Sequence, residues 1–185
     1  MSTKQIANTT TEIQITDDVK VSLKGSMLHV QGPLGHTYKN FKKIPVTIEI
    51  DDKKILLKQA GERKKYYAVR NTARSIIQIL CAGVVDGFTI KMKVVFSHFP
   101  ITVKVEGKKV LIENFQGERA PRISMIRGDT KVDVKGDDVI ITGPVLTDVS
   151  QTAANIQQKS KVKNKDHRVF LDGIYRYSKS KGIEK

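Results

Sequence analysis

Histidines, one cysteine and paired acids are the side chains of this sequence that could perform covalent or metal chemistry. Cys81 is the only cysteine, and Ser97-His98 places a nucleophile beside a base, but no glycine-rich nucleophile elbow surrounds that pair. Dinucleotide-binding and Walker fingerprints are also missing. The histidines do not have metal-ligand spacing to one another or to Cys81; they are His29, His36, His98 and His167. We therefore expect neither catalysis nor a bound metal or other cofactor.

Two further motifs have simpler explanations in turns. Asp51-Asp52 and Asp137-Asp138 fall in predicted hairpin turns, where solvated carboxylates are common. Gly32-Pro33-Leu34-Gly35 has the spacing of loops that clamp a nucleic-acid backbone, but it follows a predicted strand, and Pro33 suits the second position of a turn. The turn interpretation is favoured, because Gly143-Pro144 recurs later without a second glycine three residues on.

Clustered cations are the remaining side chains with a possible functional role. The formal net charge is +14, an excess that favours a polyanionic partner. Nucleic acid is favoured over a membrane, since no apolar run approaches the roughly 20 residues that span a bilayer. Residues 62–74 contain five cations and one acid, and residues 159–185 contain nine cations and three acids. One such run is explained by a solvated surface, whereas two in so basic a chain indicate phosphate contact.

The second basic run begins with residues 159–168 (KSKVKNKDHR), which alternate cations with small or polar side chains. Without an apolar stripe, this segment is not expected to be ordered in isolation, but it could be fixed along a phosphate backbone. Guanidinium and aromatic planes then come together, a combination that suits stacking on unpaired bases; they belong to Arg168, Tyr175, Arg176 and Tyr177. Phe170 and Ile174 are predicted to be core residues.

A third candidate contact is the loop at residues 114–122, whose glycine, proline and arginines are typical of loops that enter RNA grooves, although such a loop could also simply be solvated. The residues predicted to contact RNA are Arg63, Lys64, Arg70, Arg74, Arg119, Arg122, Arg127, Lys159, Lys161, Lys163, Asn164, Lys165, His167, Arg168, Tyr175 and Arg176.

Short alternating segments and two amphipathic stretches must position these side chains. Alternating apolar residues separated by turn signals predict antiparallel hairpins at residues 19–30, 46–57, 101–112 and 131–142. A 3.6-residue apolar periodicity predicts a helix from Tyr66 to Val84, with Arg63, Arg70 and Arg74 along the border of its apolar stripe. A second helix is predicted to start at an N-cap at Thr147-Asp148 and to end near Gln158.

The chain also repeats itself. Residues 19–33 (VKVSLKGSMLHVQGP) align without gaps to residues 130–144 (TKVDVKGDDVIITGP), with six identities in fifteen positions. Thr72-Ala73 then matches Thr152-Ala153, and Asp86-Gly87 matches Asp172-Gly173, in the same order. Three matches in register indicate duplication of a hairpin–helix–strand unit, with about residues 36–60 as an additional stretch in the first copy.

The repeat predicts an α+β fold of two tandem duplicated domains, each an antiparallel β-sheet packed with one α-helix. The predicted domains are residues 1–84 and residues 85–185. Residues 1–11 are polar, without the pattern of a signal or transit peptide, and a single cysteine excludes an internal disulfide, so we expect a cytosolic or nuclear protein.

Residues 158–179 (QKSKVKNKDHRVFLDGIYRYSK) resemble the C-terminal signature of the ribosomal protein family called L-six in bacteria and L-nine in the eukaryotic cytoplasm. Arg176 departs from the pattern, which prefers an aliphatic residue there. Residues 91–93, residues 97–100 and the NFQGER loop resemble the eukaryotic branch, and residues 15–35 resemble the family's opening hairpin. The matched signature positions are Gln158, Val162, Lys165, Arg168, Phe170, Asp172, Gly173, Ile174, Tyr175 and Lys179.

The resemblance implies a structural, non-enzymatic protein seated on large-subunit rRNA near the sarcin–ricin loop, beside the base of the factor-recruiting stalk. It implies neighbouring ribosomal proteins at the stalk base and transient contact with translation factors as partners, with no membrane. It also implies a cytoplasmic location with a transient nucleolar stage during assembly. The second domain, with its basic tail, is expected to make most of the rRNA contact. The composition alone leaves open a free RNA-binding regulator, or, less favoured, an RNA chaperone or an enzyme that acts on RNA.

Overall fold

Two compact units make up the chain, Met1–Val85 and Asp86–Lys185. The computed structural model describes residues 10–51, 54–166 and 168–183. Each unit buries its own hydrophobic cluster, as expected of a folding domain. Among the described residues, none of the helices has both the length and the apolar composition needed to cross a membrane.

The first unit contains two three-stranded antiparallel sheets and one long helix. One sheet has the strand order β1-β6-β5 and the other the order β2-β3-β4. The elements are β1 (Thr10–Gln14), β2 (Lys20–Lys24), β3 (Met27–Gly32), β4 (Gly35–Asn40), β5 (Val46–Asp51), β6 (Lys54–Gln59) and α1 (Lys64–Val85).

Strand alternation and the helical stripe build the core of this unit. Leu28 and Val30 of β3 are fully buried, while the alternate residues of β3 lie on the opposite face of the sheet. Helix α1 packs on both sheets and buries Ala73, Ile77 and Val84. At Gly32, an added Cβ would lie 2.8 Å from the carbonyl oxygen of Val84, so this close approach of sheet and helix requires glycine.

The second unit has one three-stranded sheet, in the order β10-β9-β8, and one four-stranded sheet, in the order β11-β12-β7-β13. Helix α2 packs against both sheets. The elements are β7 (Phe88–Val95), β8 (Thr102–Glu106), β9 (Lys109–Glu113), β10 (Arg122–Met125), β11 (Lys131–Lys135), β12 (Asp138–Gly143), α2 (Leu146–Lys159) and β13 (Gly173–Lys181).

The two units use the same strand pairings in a different chain order. In the first unit, hairpin β2–β3 is extended by β4, and hairpin β5–β6 is extended by β1. In the second, hairpin β11–β12 is extended by β7, and hairpin β8–β9 is extended by β10. The additional stretch of the first copy therefore has a counterpart after all. It forms β4–β6, and strands β7–β9, which make the corresponding pairings, precede the repeated hairpin in the second unit.

The predicted α+β class and duplicated architecture are confirmed, and the strands of each unit are divided between two sheets. The predicted turn at residues 32–35 is also confirmed, since Gly32 pairs with Gly35 across a two-residue connection. The predicted N-cap of α2 is wrong. The helix begins at Leu146 after Val145, whose backbone carbonyl accepts hydrogen bonds from the amides of Asp148 and Val149.

Candidate nucleic-acid interface

The basic segment, residues 159–168, joins the end of α2 to the approach of β13. Val162 within it is 3% exposed and belongs to the second unit's core, whereas its neighbours Lys161 and Lys163 are exposed. Because Val162 is buried in the core, the lysines on either side of it point to solvent. The sequence suggests that this segment is not ordered in isolation, because it lacks an apolar stripe. The structure corrects this expectation, since Val162 packs into the core of the second unit.

Ser160 provides a second anchor for the basic segment. It is 2% exposed, and its hydroxyl accepts a hydrogen bond from the backbone amide of Ile174 at 3.0 Å. The same hydroxyl lies 3.1 Å from the carbonyl oxygen of Gln157, to which it donates. Because Ile174 lies in β13, these bonds connect the C-terminal end of α2 to the four-stranded sheet and fix where the segment begins.

Arg122 holds the segment from the other side. Its Nη1 donates to the backbone carbonyls of Lys159 and Lys161 at 2.9 and 3.0 Å, and its Nε donates to Glu118 at 2.8 Å. The guanidinium carbon lies 4.0 Å from the ring centroid of Phe115. The hydrogen bond from Arg122 lowers the pKa of the Glu118 carboxyl below its ordinary value. We therefore assign Arg122 an internal role and do not retain it as an open phosphate contact.

The exposed cations of the segment follow one another along this scaffold. Lys165 places its Nζ 4.4 Å from the centroid of the Phe170 ring, and Arg168 is 93% exposed, with its Nε 3.6 Å from Asp166. Asp166 also accepts the Arg168 backbone amide at 2.9 Å, which forms a turn. The exposed cations are Lys159, Lys161, Lys163, Lys165 and Arg168; His167 lies outside the described residues.

Asn164 has a structural reason to occupy its position in the segment. Its backbone φ is +57°, in the left-handed region that asparagine tolerates better than most residues. The residue is exposed, so its side chain remains open to a ligand while its backbone bends the chain between Lys163 and Lys165.

The loop at residues 114–122 is largely folded into the second unit. Phe115 is fully buried, and the Asn114 amide donates to the carbonyl of Pro100 at 3.0 Å. Arg119 is exposed, so it is the arginine of this loop that remains open to a ligand. Arg127 is also exposed, and its backbone amide donates to the Thr152 hydroxyl at 3.0 Å.

Two tyrosines of β13 expose their rings. Tyr175 is 43% exposed and donates its hydroxyl hydrogen to the carbonyl of Leu171 at 3.1 Å. Tyr177 lies at a β-bulge and is 57% exposed, with its hydroxyl 3.3 Å from Asp138. Arg176 between them is exposed. Tyr177 belongs to the group that the sequence predicts to stack on unpaired bases, and its exposed ring is compatible with that prediction.

The candidate residues of the first unit divide into exposed and buried positions. Arg63, Lys64 and Arg74 are exposed, whereas Arg70 is only 3% exposed. The Arg70 guanidinium carbon lies 5.0 Å from the centroid of the Tyr67 ring, as in a cation–π contact. Arg70 therefore does not share an open face with Arg74, and we do not retain it as a phosphate contact. The helical wheel predicts Arg70 at the border of the apolar stripe, but in the structure its side chain is buried in the first unit.

The pair Ser97-His98 has a structural explanation in the second unit. The backbone amide of Ser97 donates to Oδ1 of the buried Asp172 at 2.9 Å. The Nδ1 of His98 lies 3.7 Å from Oδ2 of Asp172, and the His98 ring packs on Phe170 with centroids 5.1 Å apart. Within the described parts of the chain, no cluster of three or more His, Cys, Asp or Glu side chains is arranged to hold a metal ion. Burial raises the pKa of the Cys81 thiol, which disfavours the reactive thiolate.

Together, the fold and the site define a class of protein: a duplicated, strongly basic α+β protein that displays cations on a segment anchored from both sides. A family described as Ribosomal protein L6 matches residues 99–173. The chain is 47% identical to the large ribosomal subunit protein uL6 of Methanosphaera stadtmanae, over 92% of this chain and 94% of the relative. It is 42% identical to uL6 of Methanosarcina mazei, over 93% and 96%, and 41% identical to uL6 of Ignicoccus hospitalis, over 90% and 92%.

The chain belongs to the ribosomal protein L6 family, whose relatives above carry the name large ribosomal subunit protein uL6. This membership confirms the resemblance found in the C-terminal signature and the prediction of a large-subunit ribosomal protein that is not an enzyme.

Proposed function

We propose that this protein is a structural constituent of the large ribosomal subunit that binds large-subunit rRNA near the sarcin–ricin loop and the stalk base. In that position it supports the region where translation factors bind, beside neighbouring ribosomal proteins and in transient contact with the factors. Its proposed location is cytoplasmic, with a nucleolar stage during assembly. The observation that carries the proposal is the basic segment, whose exposed cations are held by Val162, Ser160 and Arg122.

The mechanism is neutralisation of phosphates by a preorganised strip of charge. Each cation that contacts a phosphate releases counterions. The resulting contribution to binding affinity decreases as the salt concentration rises and does not depend on the RNA sequence. Anchoring the segment before binding reduces the ordering entropy that a disordered tail would lose on binding. We include in this interface the exposed cations of the basic segment together with Asn164, Arg119, Arg127, Tyr175 and Arg176, and we keep His167, Arg63, Lys64 and Arg74 as candidate contacts.

Replacing Lys161, Lys163 and Lys165 with alanine tests this mechanism. Because all three side chains are exposed, we expect the thermal transition to remain while incorporation into large subunits, measured by sedimentation of a lysate, decreases. The matched control replaces Lys104, Lys109 and Lys131, which are exposed on strands of the same unit. An equal loss in both triple variants would show that total charge matters and the basic segment does not. If the unmodified protein stays at the top of the gradient at moderate salt, it is a free RNA-binding regulator instead.

The location on the rRNA requires a separate experiment. An iron chelate attached to Lys163→Cys, in a Cys81→Ser background, generates hydroxyl radicals that cleave nearby RNA backbone in assembled subunits. We expect cleavage around the sarcin–ricin loop and the stalk base, and a different pattern from the control Lys104→Cys. Cleavage in another rRNA region would contradict the proposed location while leaving the family membership intact.

A further inference from the structure

The solvent face of the β2-β3-β4 sheet in the first unit is a surface that the proposed function does not use. Leu28 and Val30 point from β3 into the core, so the alternate residues of the three strands form the opposite face. Strand register places Ser22, His29 and Tyr38 side by side across it. We call this surface the first-unit sheet face; it comprises Lys20, Ser22, Lys24, Met27, His29, Gln31, His36, Tyr38 and Asn40.

Three rings stand together at the centre of the first-unit sheet face. His29 and His36 stack with ring centroids 5.4 Å apart and an interplanar angle of 19°, and Nδ1 of His29 lies 3.1 Å from Nε2 of His36. Tyr38 lies with its centroid 5.9 Å from that of His29 and 6.2 Å from that of His36. It is 62% exposed. The Tyr38 ring beside this hydrogen-bonded histidine pair remains exposed to water, and covering it with a ligand would contribute favourable free energy.

Charge and polar groups around the rings indicate the kind of ligand. Lys20 and Lys24 lie on the same face, and a surface depression is lined by these lysines together with Ser22, His29, Gln31 and His36. The face contains no acidic side chain among its nine residues, all of which the structure describes. Cations beside exposed rings are the combination that binds single-stranded nucleic acid, because the rings stack on bases and the cations meet phosphates.

The duplicated second unit supplies a comparison within the same chain. The repeat keeps the two lysines as Lys131 and Lys135, and both are exposed at the corresponding positions of β11. It replaces Ser22 and Met27 with Asp133 and Asp138, and it replaces His29 with Ile140. The imidazole stack and the absence of acids are therefore properties of the first copy and not a consequence of the shared fold.

We propose that the first-unit sheet face binds unpaired bases of a single-stranded RNA segment. A base stacks on Tyr38 and the neighbouring imidazoles, Lys20 and Lys24 contact the flanking phosphates, and the amides of Gln31 and Asn40 are positioned at the rim to meet base edges. This contact is additional to the basic segment of the second unit and does not depend on it.

The test observes the imidazoles of the full-length protein by nuclear magnetic resonance. Oligoadenylate is added to protein with isotope-labelled histidines, at a salt concentration that weakens phosphate contacts and with EDTA present to remove metal ions. We expect upfield ring-current shifts of His29 and His36. His98 packs on Phe170, whose ring lies 4.4 Å from Lys165 of the basic segment, so a shift of His98 reports RNA binding at that segment and is read separately. If His29 and His36 do not shift, or shift equally with double-stranded RNA, the proposal is wrong.

Variants measure the contribution of stacking and of charge. Tyr38→Ala is expected to weaken oligoadenylate binding about tenfold at the same salt, and Tyr38→Phe to retain it, because stacking requires the ring and not the hydroxyl. K20A/K24A is compared with K131A/K135A, which removes the equivalent lysines of the second unit. Equal losses in the two double variants, or unchanged affinity in Tyr38→Ala, would overturn the proposal. Should Tyr38→Ala lose its thermal transition, the histidine shifts of the unmodified protein still decide the question.

Discussion

At the scale of single residues, Arg122 stands out because all the bonds described for its guanidinium are made within the second unit. It connects Glu118, the aromatic ring of Phe115 and the carbonyls of Lys159 and Lys161. Arg122, which the sequence suggests is a surface cation, therefore supports the backbone of the basic segment.

Replacement of Arg122 by alanine is expected to destabilise the protein by about 1–3 kcal/mol, because two carbonyls and a carboxylate lose their donor. The measurement is urea unfolding at neutral pH. The matched control is Arg119→Ala, an exposed arginine three residues earlier, for which a change within about 0.5 kcal/mol is expected. Equal effects of the two substitutions would show that the bonds of Arg122 do not stabilise the fold.

The ion pair with Arg122 also predicts a pH dependence. The pKa of Glu118 is lowered in the folded protein from its ordinary value of 4.5. A carboxyl with a lowered folded pKa contributes stability above its unfolded pKa, and this contribution is lost as the pH falls through the folded value. The stability difference between the unmodified protein and Glu118→Gln is therefore expected to be largest near neutral pH and to shrink in acid. Thermal unfolding over that pH range checks it, and a constant difference would contradict the assignment.

At the scale of elements, the repeated glycines Gly32 and Gly143 mark where a strand end meets a helix. An added Cβ at Gly32 would contact the Val84 backbone oxygen at 2.8 Å, whereas at Gly143 the nearest atom is a Val149 methyl carbon at 3.0 Å. Overpacking of this kind costs about 1–3 kcal/mol. Gly32→Ala is expected to lie at the upper end of that range, because backbone yields less than a side chain, and Gly143→Ala at the lower end.

Denaturant unfolding of the two alanine variants tests this ranking. The slope of the free energy against denaturant should not change, since neither substitution alters the surface exposed on unfolding. If Gly143→Ala costs as much as Gly32→Ala, the distinction between backbone and side-chain neighbours is not what sets the cost.

The hairpins were predictable from the sequence because both of their strands and the turn lie within a dozen residues. All four predicted hairpins are present, as β2–β3, β5–β6, β8–β9 and β11–β12. Strands β1, β4 and β10 were not predicted. They are short, carry few apolar residues and gain their stability by pairing with strands outside the local pattern.

At the scale of the whole molecule, the break between the units falls before β7 and not after it. Strand β7 follows the first helix in the chain but pairs with both β12 and β13 of the second unit. Strand β7, which the repeat predicts as the last element of the first copy, therefore pairs within the sheet of the second unit.

Two fragments test this boundary. Residues 86–185 keep all four strands of the β11-β12-β7-β13 sheet and are expected to unfold cooperatively on heating. Residues 96–185 lack β7, one of the two inner strands of this sheet. Its loss removes Ile90, Met92 and Val94 from the core, so this fragment is expected to show no cooperative transition. Circular dichroism on heating distinguishes them. A cooperative transition in the shorter fragment would mean that β7 is dispensable and that the boundary lies later in the chain.

The sequence by itself determined the basic class of the protein, its four local hairpins, its two helices, the duplication and, through the C-terminal signature, its family. These features depend on composition and on residues close together in the chain. Only the tertiary structure decided that Arg70 is buried and Arg122 engaged internally, and that Val162 anchors the basic segment. It also brought the rings of His29, His36 and Tyr38 into one cluster. A side chain's exposure and partners depend on segments that pack against it from elsewhere in the sequence, and a periodic pattern does not contain that information.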